Sequence, residues 1–159
     1  MKQECAFKSF LPLGMQFSFV PWIYDQEVID HCLEMIALRE QYSEEMVELF
    51  KQATITGEPI NKPIWMLDPD DEAAFEIDDG RIHIEIMYGI LKNSIELLSE
   101  FMFGNNVLVA PVLEKSATSR MIYFPKGLWF DPRRNTNFTG PVWVDYEADL
   151  FTLPYFTKQ

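Results

Sequence analysis

Residues 121–131 read MIYFPKGLWFD, and this stretch decides the fold that the sequence predicts. Two apolar runs, residues 121–124 and 128–130, flank a Pro-Lys-Gly tripeptide, and Asp131-Pro132 follows the second run. Proline fixes its own backbone torsion and glycine tolerates positive φ, so both dividing sequences are typical of turns. The stretch therefore predicts two short β-strands joined by one turn and ended by another.

The same alternation of short apolar runs and turns continues on both sides of this stretch. Further turn sequences lie at residues 68–70, 104–106 and 140–141, and further apolar runs lie at residues 107–113, 142–144 and 150–153. Residues 13–19 also have the composition of a short strand. Regular short strands with turns between them predict an antiparallel β-sandwich or barrel in the second part of the chain.

One long amphipathic helix is predicted over residues 25–54. Its apolar residues recur at spacings of three and four, which is the period of a helix with one buried face. They are Ile29, Cys32, Leu33, Ile36, Tyr42, Met46, Val47, Phe50 and Ala53. Asp25 can cap this helix and Glu27 favours its first turn, whereas Gly57 and Pro59 end it. A domain boundary is expected near Thr56.

Composition and charge exclude several classes of function. The chain has 159 residues, 48% of them hydrophobic, which suffices for a globular core and is too apolar for intrinsic disorder. The formal net charge of −12 repels phosphate backbones, so nucleic acid is not an expected partner. No stretch has the roughly 20 continuous apolar residues of a membrane span, and no signal peptide is expected.

No metal or cofactor is expected from the sequence. Two cysteines and two histidines are too scattered for the usual spacing of zinc ligands. The acidic residues between 68 and 79 suggest calcium, but a calcium loop needs Gly where Ala73 stands and Glu where Asp79 stands. We interpret this segment as a solvated acidic loop, and His31 and His83 as packed or surface residues.

Four ordered runs of residues resemble glycoside hydrolase family 31. They are residues 56–65, residues 100–113 with the sequence EFMFGNNVLVAPVL, residues 121–131 and residues 153–156. A fifth run, residues 10–22, resembles the last barrel strand of the family, most closely in the branch of the myogenesis-regulating glycosidase. The resemblance thus extends over nearly the whole chain.

The resemblance implies a mixed α and β fold. Residues 1–55 correspond to the last βα unit of a (β/α)8 TIM barrel, and residues 56–159 to the antiparallel β-sandwich that follows it. Family members are retaining α-glycosidases whose two catalytic aspartates lie on the fourth and sixth barrel strands. Both strands would precede Met1, so we assign no catalytic residue here and expect this C-terminal fragment to be inactive alone. The missing barrel segment is its expected partner.

Three residues are expected near the carbohydrate substrate of the parent enzyme. Many family members carry Arg-x-His at the end of the last barrel strand, and Gln16 and Ser18 occupy the matching positions here. Trp22 lies near the expected mouth of the barrel, where a tryptophan can contact sugar. The other three tryptophans of the chain are expected to pack in the core.

Residues 80–99 and Asn137 stand apart from this pattern. In the family pattern the chain runs directly from residue 79 to residue 100, so residues 80–99 are interpreted as an insertion that bulges from the sandwich. Asn137 begins a glycosylation sequon, Asn-Phe-Thr, in a turn-rich stretch where an exposed loop is expected. The sequence leaves the compartment open; many family members enter the secretory pathway, which would place the parent in the ER, the lysosome or the extracellular space.

Two functions are open at this point. The first is the C-terminal part of an α-glucosidase-like glycosidase that hydrolyses O-glycosyl bonds in carbohydrate metabolism. The second is a non-catalytic β-sandwich that binds carbohydrate or packs against a partner domain. Genomic sequence upstream of Met1 separates the two, because only the first requires the two catalytic-aspartate motifs in frame.

Overall fold

A computed structural model describes residues 25–78, 100–112, 116–148 and 152–159. The chain divides into two compact units, residues 1–60 and residues 61–159. Within the described residues the first unit is helical, and the second combines an antiparallel sheet with one short α-helix and one 3-10 helix. The mixed fold of helices and antiparallel sheet is thus as predicted. The predicted strand at residues 13–19 and the predicted insertion at residues 80–99 lie outside the described residues.

The first unit contains two helices where the sequence predicted one. They are α1 (Gln26–Gln41) and α2 (Ser43–Thr56). Tyr42 separates them with φ −97° and ψ 6°, which is not a helical conformation. Glu44 and Glu45 then lie in the first turn of α2, where acidic side chains interact favourably with the helix dipole. The prediction of a single continuous helix is therefore wrong.

Both outer ends of the helical segment follow the predicted chemistry. The Asp25 carboxylate accepts a hydrogen bond from the backbone N–H of Val28 at 3.1 Å and caps α1. Gly57 adopts φ 78°, and its N–H donates to the Ala53 carbonyl at 3.0 Å. This left-handed conformation strains any residue with a Cβ, so glycine stops α2 at Thr56, two residues after the predicted end.

Only part of the predicted apolar face is buried. Val28, His31, Cys32 and Met35 are the buried residues of α1, and they share one face because their spacing is three or four residues. Leu33 and Ile36, which the predicted pattern also included, are each 58% exposed. On α2, Val47 is 53% exposed and Ile55 is 85% exposed. The helices therefore present aliphatic side chains to solvent in the described structure.

The second unit is built on one antiparallel sheet. The described strands are β1 (Asn61–Lys62), β2 (Phe101–Phe103), β3 (Val107–Val109), β4 (Ser119–Asp131), β5 (Thr136–Glu147) and β6 (Tyr155–Lys158), and they lie in the order β1-β2-β3-β6-β4-β5. A short 3-10 helix (Ile64–Met66) and helix α3 (Glu72–Asp78) follow β1 in the chain. The predicted turn at residues 104–106 joins β2 to β3.

Two of the predicted turns lie inside strands. The sequence predicted separate short strands on each side of Pro125-Lys126-Gly127, but all of residues 119–131 belong to β4. Gly140 and Pro141 likewise lie within β5, and Gly140 pairs with Gly127 at an irregularity in the register. Glycine and proline mark a bend in a long hairpin here, since both also occur at bulges.

The β4–β5 hairpin doubles back on itself. Asp131 pairs with Thr136 at its tip, whereas Tyr146 pairs with Arg120 near its base, 11 residues along β4 from Asp131. In a straight strand, Asp131 and Arg120 would lie about 36 Å apart. Nevertheless, the Tyr146 hydroxyl donates to the Asp131 carboxylate at 2.8 Å. The tip of the hairpin therefore lies against its base.

An aromatic cluster fills the space inside this bend. The Phe124 ring stacks on Phe138 with centroids 4.7 Å apart and meets Phe156 of β6 edge-on, also at 4.7 Å. Tyr146 contacts Phe156 edge-on at 5.3 Å. These stacked and edge-on geometries are the ones that aromatic pairs prefer. Trp129 is fully buried beside them and donates from its indole N–H to the Pro125 carbonyl at 2.7 Å, as a core tryptophan requires.

Gly140 is required where the hairpin bends. A Cβ at this position would lie 2.1 Å from the Pro125 carbonyl oxygen and 2.5 Å from that of Phe124. Both neighbours are backbone atoms of the paired strand and cannot move aside without breaking the bend. The two strands thus approach each other more closely at this point than any side chain allows.

Gly140→Ala is expected to destabilise the β unit by about 3 kcal/mol or more, because the added methyl group collides with backbone. Thr139→Ala, at the exposed neighbouring position, is the matched control and should change stability by less than about 1 kcal/mol. Urea unfolding followed by tryptophan fluorescence measures both. Equal stability of the two variants would contradict the close approach at Gly140.

Candidate functional site

The sequence-predicted site residues fall in two groups. Gln16, Ser18 and Trp22, expected near the substrate, lie outside the described residues, as does His83. Asn137 lies on β5, exposed, and pairs with Phe130. It was expected in a loop, and that expectation is wrong, because the turn of the hairpin ends before Thr136 and the sequon belongs to the strand.

The acidic segment before α3 is anchored as well as solvated. Asp70 and Glu72 are exposed, as expected of a solvated loop, but Asp71 is half-buried. One Asp71 oxygen accepts the backbone N–H of Ala73 at 3.2 Å, and the other accepts the Tyr123 hydroxyl at 2.5 Å. Burial and this hydrogen bond raise the pKa of the Tyr123 hydroxyl. Asp71 therefore ties the start of α3 to β4.

A buried ion pair lies next to this contact. The Arg120 guanidinium donates to a Glu100 carboxylate oxygen at 2.8 Å, and both side chains are fully buried. Arg120 also donates to the Pro111 carbonyl at 2.5 Å. The backbone N–H of Tyr123 donates to both Glu100 oxygens, at 3.3 and 3.1 Å. Glu100, directly before β2, is thus held by two residues of β4.

Burial sets the protonation of Glu100. Removal from water raises the pKa of its carboxyl group from the ordinary value of 4.5 to about 8, while Arg120 and the N–H of Tyr123 oppose this rise. Desolvation penalises the charged form of any carboxyl group, and here it outweighs the attraction of the guanidinium. Glu100 therefore keeps its proton to a higher pH than an exposed glutamate does, up to about pH 8.

A second buried carboxylate closes the hairpin. One oxygen of Asp131 accepts the Tyr146 hydroxyl, and the other accepts the backbone N–H groups of Arg133 and Arg134 at 2.9 and 3.2 Å. Burial and the bond to Asp131 raise the pKa of the Tyr146 hydroxyl. Because Asp131 binds the turn and the base of the hairpin together, it fixes the bend.

Sequence reasoning missed all three of these carboxylates. Asp71 and Tyr123 are separated by 52 residues, Glu100 and Arg120 by 20. No local spacing links such pairs, since they meet only when β4 is placed beside α3 and β2. Only for Asp131 could the local sequence have indicated the role, because Asp before a turn often binds the backbone N–H groups that follow it.

The remaining residues considered for chemistry have simpler surroundings. His31 is buried on α1, in agreement with a packed residue, with its Nδ1 3.9 Å from a Glu34 oxygen. In the described ranges, no three His, Cys, Asp or Glu side chains are grouped closely enough to hold a metal ion. No helix among the same residues has the length and apolar composition to cross a membrane.

Solved structures place this arrangement of helices and antiparallel sheet among the glycoside hydrolases. A Flavobacterium johnsoniae dextranase complexed with glucose matches with a TM-score of 0.80 and 25% identity, over 99% of this chain and 18% of the dextranase. An α-xylosidase from a soil metagenome matches with a TM-score of 0.73 and 26% identity, over 91% of this chain and 19% of that enzyme.

The chain belongs to glycosyl hydrolase family 31. The model of the family's C-terminal domain matches residues 57–159. The mouse myogenesis-regulating glycosidase is 36% identical over 151 residues, and alpha-glucosidase 2 of Bacillus thermoamyloliquefaciens is 34% identical over 139 residues. These matches cover 94% and 87% of this chain but only 18% and 15% of the two relatives, so the chain spans less than a fifth of their length. The family predicted from the sequence is confirmed.

The raised pKa of Glu100 makes the stability of the β unit depend on pH. The folded state binds a proton that the unfolded chain releases near pH 4.5. The resulting stabilisation is complete below that pH and is lost as the pH rises through about 8. Between pH 5 and pH 8, we expect the wild type to lose at least about 1 kcal/mol relative to Glu100→Gln, which cannot ionise.

Urea unfolding of the two proteins at both pH values measures this difference. Glu72→Gln, which removes an exposed carboxylate in the same unit, is the control and should follow the wild type. A wild type that gains stability relative to Glu100→Gln as the pH rises would show that Glu100 has a lowered pKa.

Proposed function

We propose that this chain is the C-terminal part of a family 31 glycosidase that hydrolyses O-glycosyl bonds of a carbohydrate. The match of residues 57–159 to the C-terminal domain of that family carries the proposal. Similarity to a bacterial alpha-glucosidase supports an α-glucosidase-like activity. Because the chain corresponds to 15 to 18% of such relatives, hydrolysis is proposed for the whole enzyme and not for this part alone.

The proposal gives each unit of the chain a structural role. Residues 1–55 form the last βα unit of a TIM barrel, and residues 56–159 form the β-sandwich that follows it. The exposed aliphatic residues of α1 and α2 support the first assignment, since a barrel helix must pack against its neighbours. On α1 the exposed large apolar side chains are Leu33 and Ile36, each 58% exposed.

Three carboxylates that bind within their own unit support a non-catalytic role for the β unit. A retaining glycosidase needs two carboxyl groups about 5 Å apart that both face the sugar. Glu100, Asp131 and Asp71 instead accept hydrogen bonds from residues of their own unit. Those bonds fix strands and turns, so these three residues are assigned to folding and not to bond cleavage.

Substrate contact and cellular location complete the proposal. Gln16, Ser18 and Trp22 are proposed to lie beside the sugar in the assembled enzyme, by resemblance to the family's last barrel strand. The parent is proposed to pass through the secretory pathway. Asn137 and Thr139 are both exposed on β5, which leaves the sequon accessible to a glycan.

The purified chain is expected to give no turnover of aryl α-glucosides or α-galactosides above a blank. The reason is that the two catalytic aspartates are proposed to lie in other parts of the enzyme. Release of the aryl group, followed by absorbance, measures this. Turnover that disappears in a variant such as Asp145→Asn would place the active site in this chain and would contradict the proposal.

The chain produced in a secretory eukaryotic host is expected to carry one N-linked glycan, because Asn137 begins the only Asn-x-Ser/Thr sequon in the sequence. Treatment with an N-glycosidase should reduce its mass. Asn137→Gln should abolish the change in mass, whereas Thr139→Ser, which keeps the sequon, should retain it. An unmodified wild type would exclude the modification.

A further inference from the structure

A polar cleft opens where the tip of the doubled hairpin returns to its base. Its volume is about 550 Å³, which is within the usual range for small-molecule sites. Arg134 comes from the tip, and Ser119, Asp145 and Glu147 come from the base. Thr118 and Thr152 complete the polar lining. None of the carboxylates that fix the fold lines this cleft, so its polar groups belong to a separate feature.

The guanidinium of Arg134 is held in place at the edge of the cleft. It lies over the Tyr146 ring, 4.0 Å from the ring centroid, and donates to the backbone carbonyl of Glu147. A guanidinium has five N–H donors in a fixed plane, and this bond uses one of them. Because two contacts already fix the plane, a ligand that binds the remaining donors need not order the side chain first.

Two carboxylates face the same cleft. Asp145 and Glu147 are two residues apart on β5, so both side chains emerge from the same face of the strand. Ser119 pairs with Glu147 on the adjacent strand and adds a hydroxyl beside them. Both acidic residues are exposed and are available as hydrogen-bond acceptors. The cleft thus combines a fixed donor group with two acceptor groups and several hydroxyls.

This combination selects among ligand classes. A phosphate only accepts hydrogen bonds at high pH and is repelled by Asp145 and Glu147, which outnumber Arg134 in charge. A simple cation is attracted by the two carboxylates but leaves Arg134 facing a like charge. A neutral polyhydroxyl compound satisfies every group, because each hydroxyl both donates to a carboxylate and accepts from a guanidinium.

We propose that this cleft binds a saccharide, as an accessory site of the β unit. Adjacent hydroxyls of a sugar ring donate to Asp145 and Glu147, and a ring or hydroxyl oxygen accepts from Arg134. The site needs no catalytic aspartate and no other part of the parent enzyme, so it does not depend on the proposed glycosidase activity. It gives the β unit a function of its own, in line with the carbohydrate-binding alternative from the sequence.

Titration of the full, ¹⁵N-labelled chain with isomaltose and with maltose tests this site by NMR. We expect amide shifts confined to residues around Ser119, Asp145 and Glu147, with a Kd of about 1 mM, because the cleft is open to solvent. Asp145→Ala should weaken binding about fivefold to tenfold through loss of one hydrogen-bonded charge. Glu72→Gln, an exposed acid outside the cleft, should leave it unchanged.

Glycine and inorganic phosphate serve as competing probes of the ligand class. Glycine carries an ammonium and a carboxylate, and its tighter binding would replace the saccharide by a zwitterion and overturn the proposal. Tighter binding of phosphate would do the same. The proposal is also overturned if neither disaccharide shifts these amides at about 50 mM, which is 50-fold the expected Kd, or if Asp145→Ala binds as tightly as Glu72→Gln.

Discussion

The contact between the two halves of the β4–β5 hairpin is the constraint on which the rest of the β unit depends. A hairpin of this length is extended unless something bends it, and here two paired glycines let backbone meet backbone at Gly140. Phe124 and Phe138 then stack across the bend, and Asp131 reaches Tyr146. The apolar contact supplies the driving force, whereas the hydrogen bond selects one angle of closure, because buried polar groups tolerate few alternatives.

The buried Glu100–Arg120 pair specifies the position of the segment that enters β2 more than it adds stability. Burial of the Arg120 guanidinium and the Glu100 carboxyl group costs about as much as their attraction returns, so such pairs contribute little net free energy. A misplaced β2, however, would leave Arg120 buried without its carboxyl partner and Tyr123 without an acceptor for its N–H. That penalty amounts to several kcal/mol. The pair therefore fixes where the chain enters β2, because Glu100 directly precedes that strand and is bound by Arg120 and Tyr123 of β4.

Local sequence chemistry predicted the parts of the fold that local forces control. Asp25 begins the helical segment and Gly57 ends it, as predicted, because each acts on backbone groups within four residues. The Pro125 and Gly140 regions were misassigned as turns, since the same residues suit a turn and a bend within a strand. What distinguishes the two is the aromatic packing of Phe138 against Phe124, which local patterns do not contain. The family, in contrast, was recognisable from residues 100–113 and 121–131, whose described parts contribute several residues to the buried core.

Closure of the hairpin connects the stability of the unit to its surface chemistry. Arg134 reaches Glu147 only when the tip of the hairpin lies on its base, so the donors and acceptors of the cleft are assembled by the same bend that buries Phe124. A ligand that bridges Arg134 and Asp145 thus binds the folded state and not the unfolded chain. By linkage, it must stabilise the bend in proportion to its occupancy. The cleft and the aromatic core therefore form together when the hairpin closes.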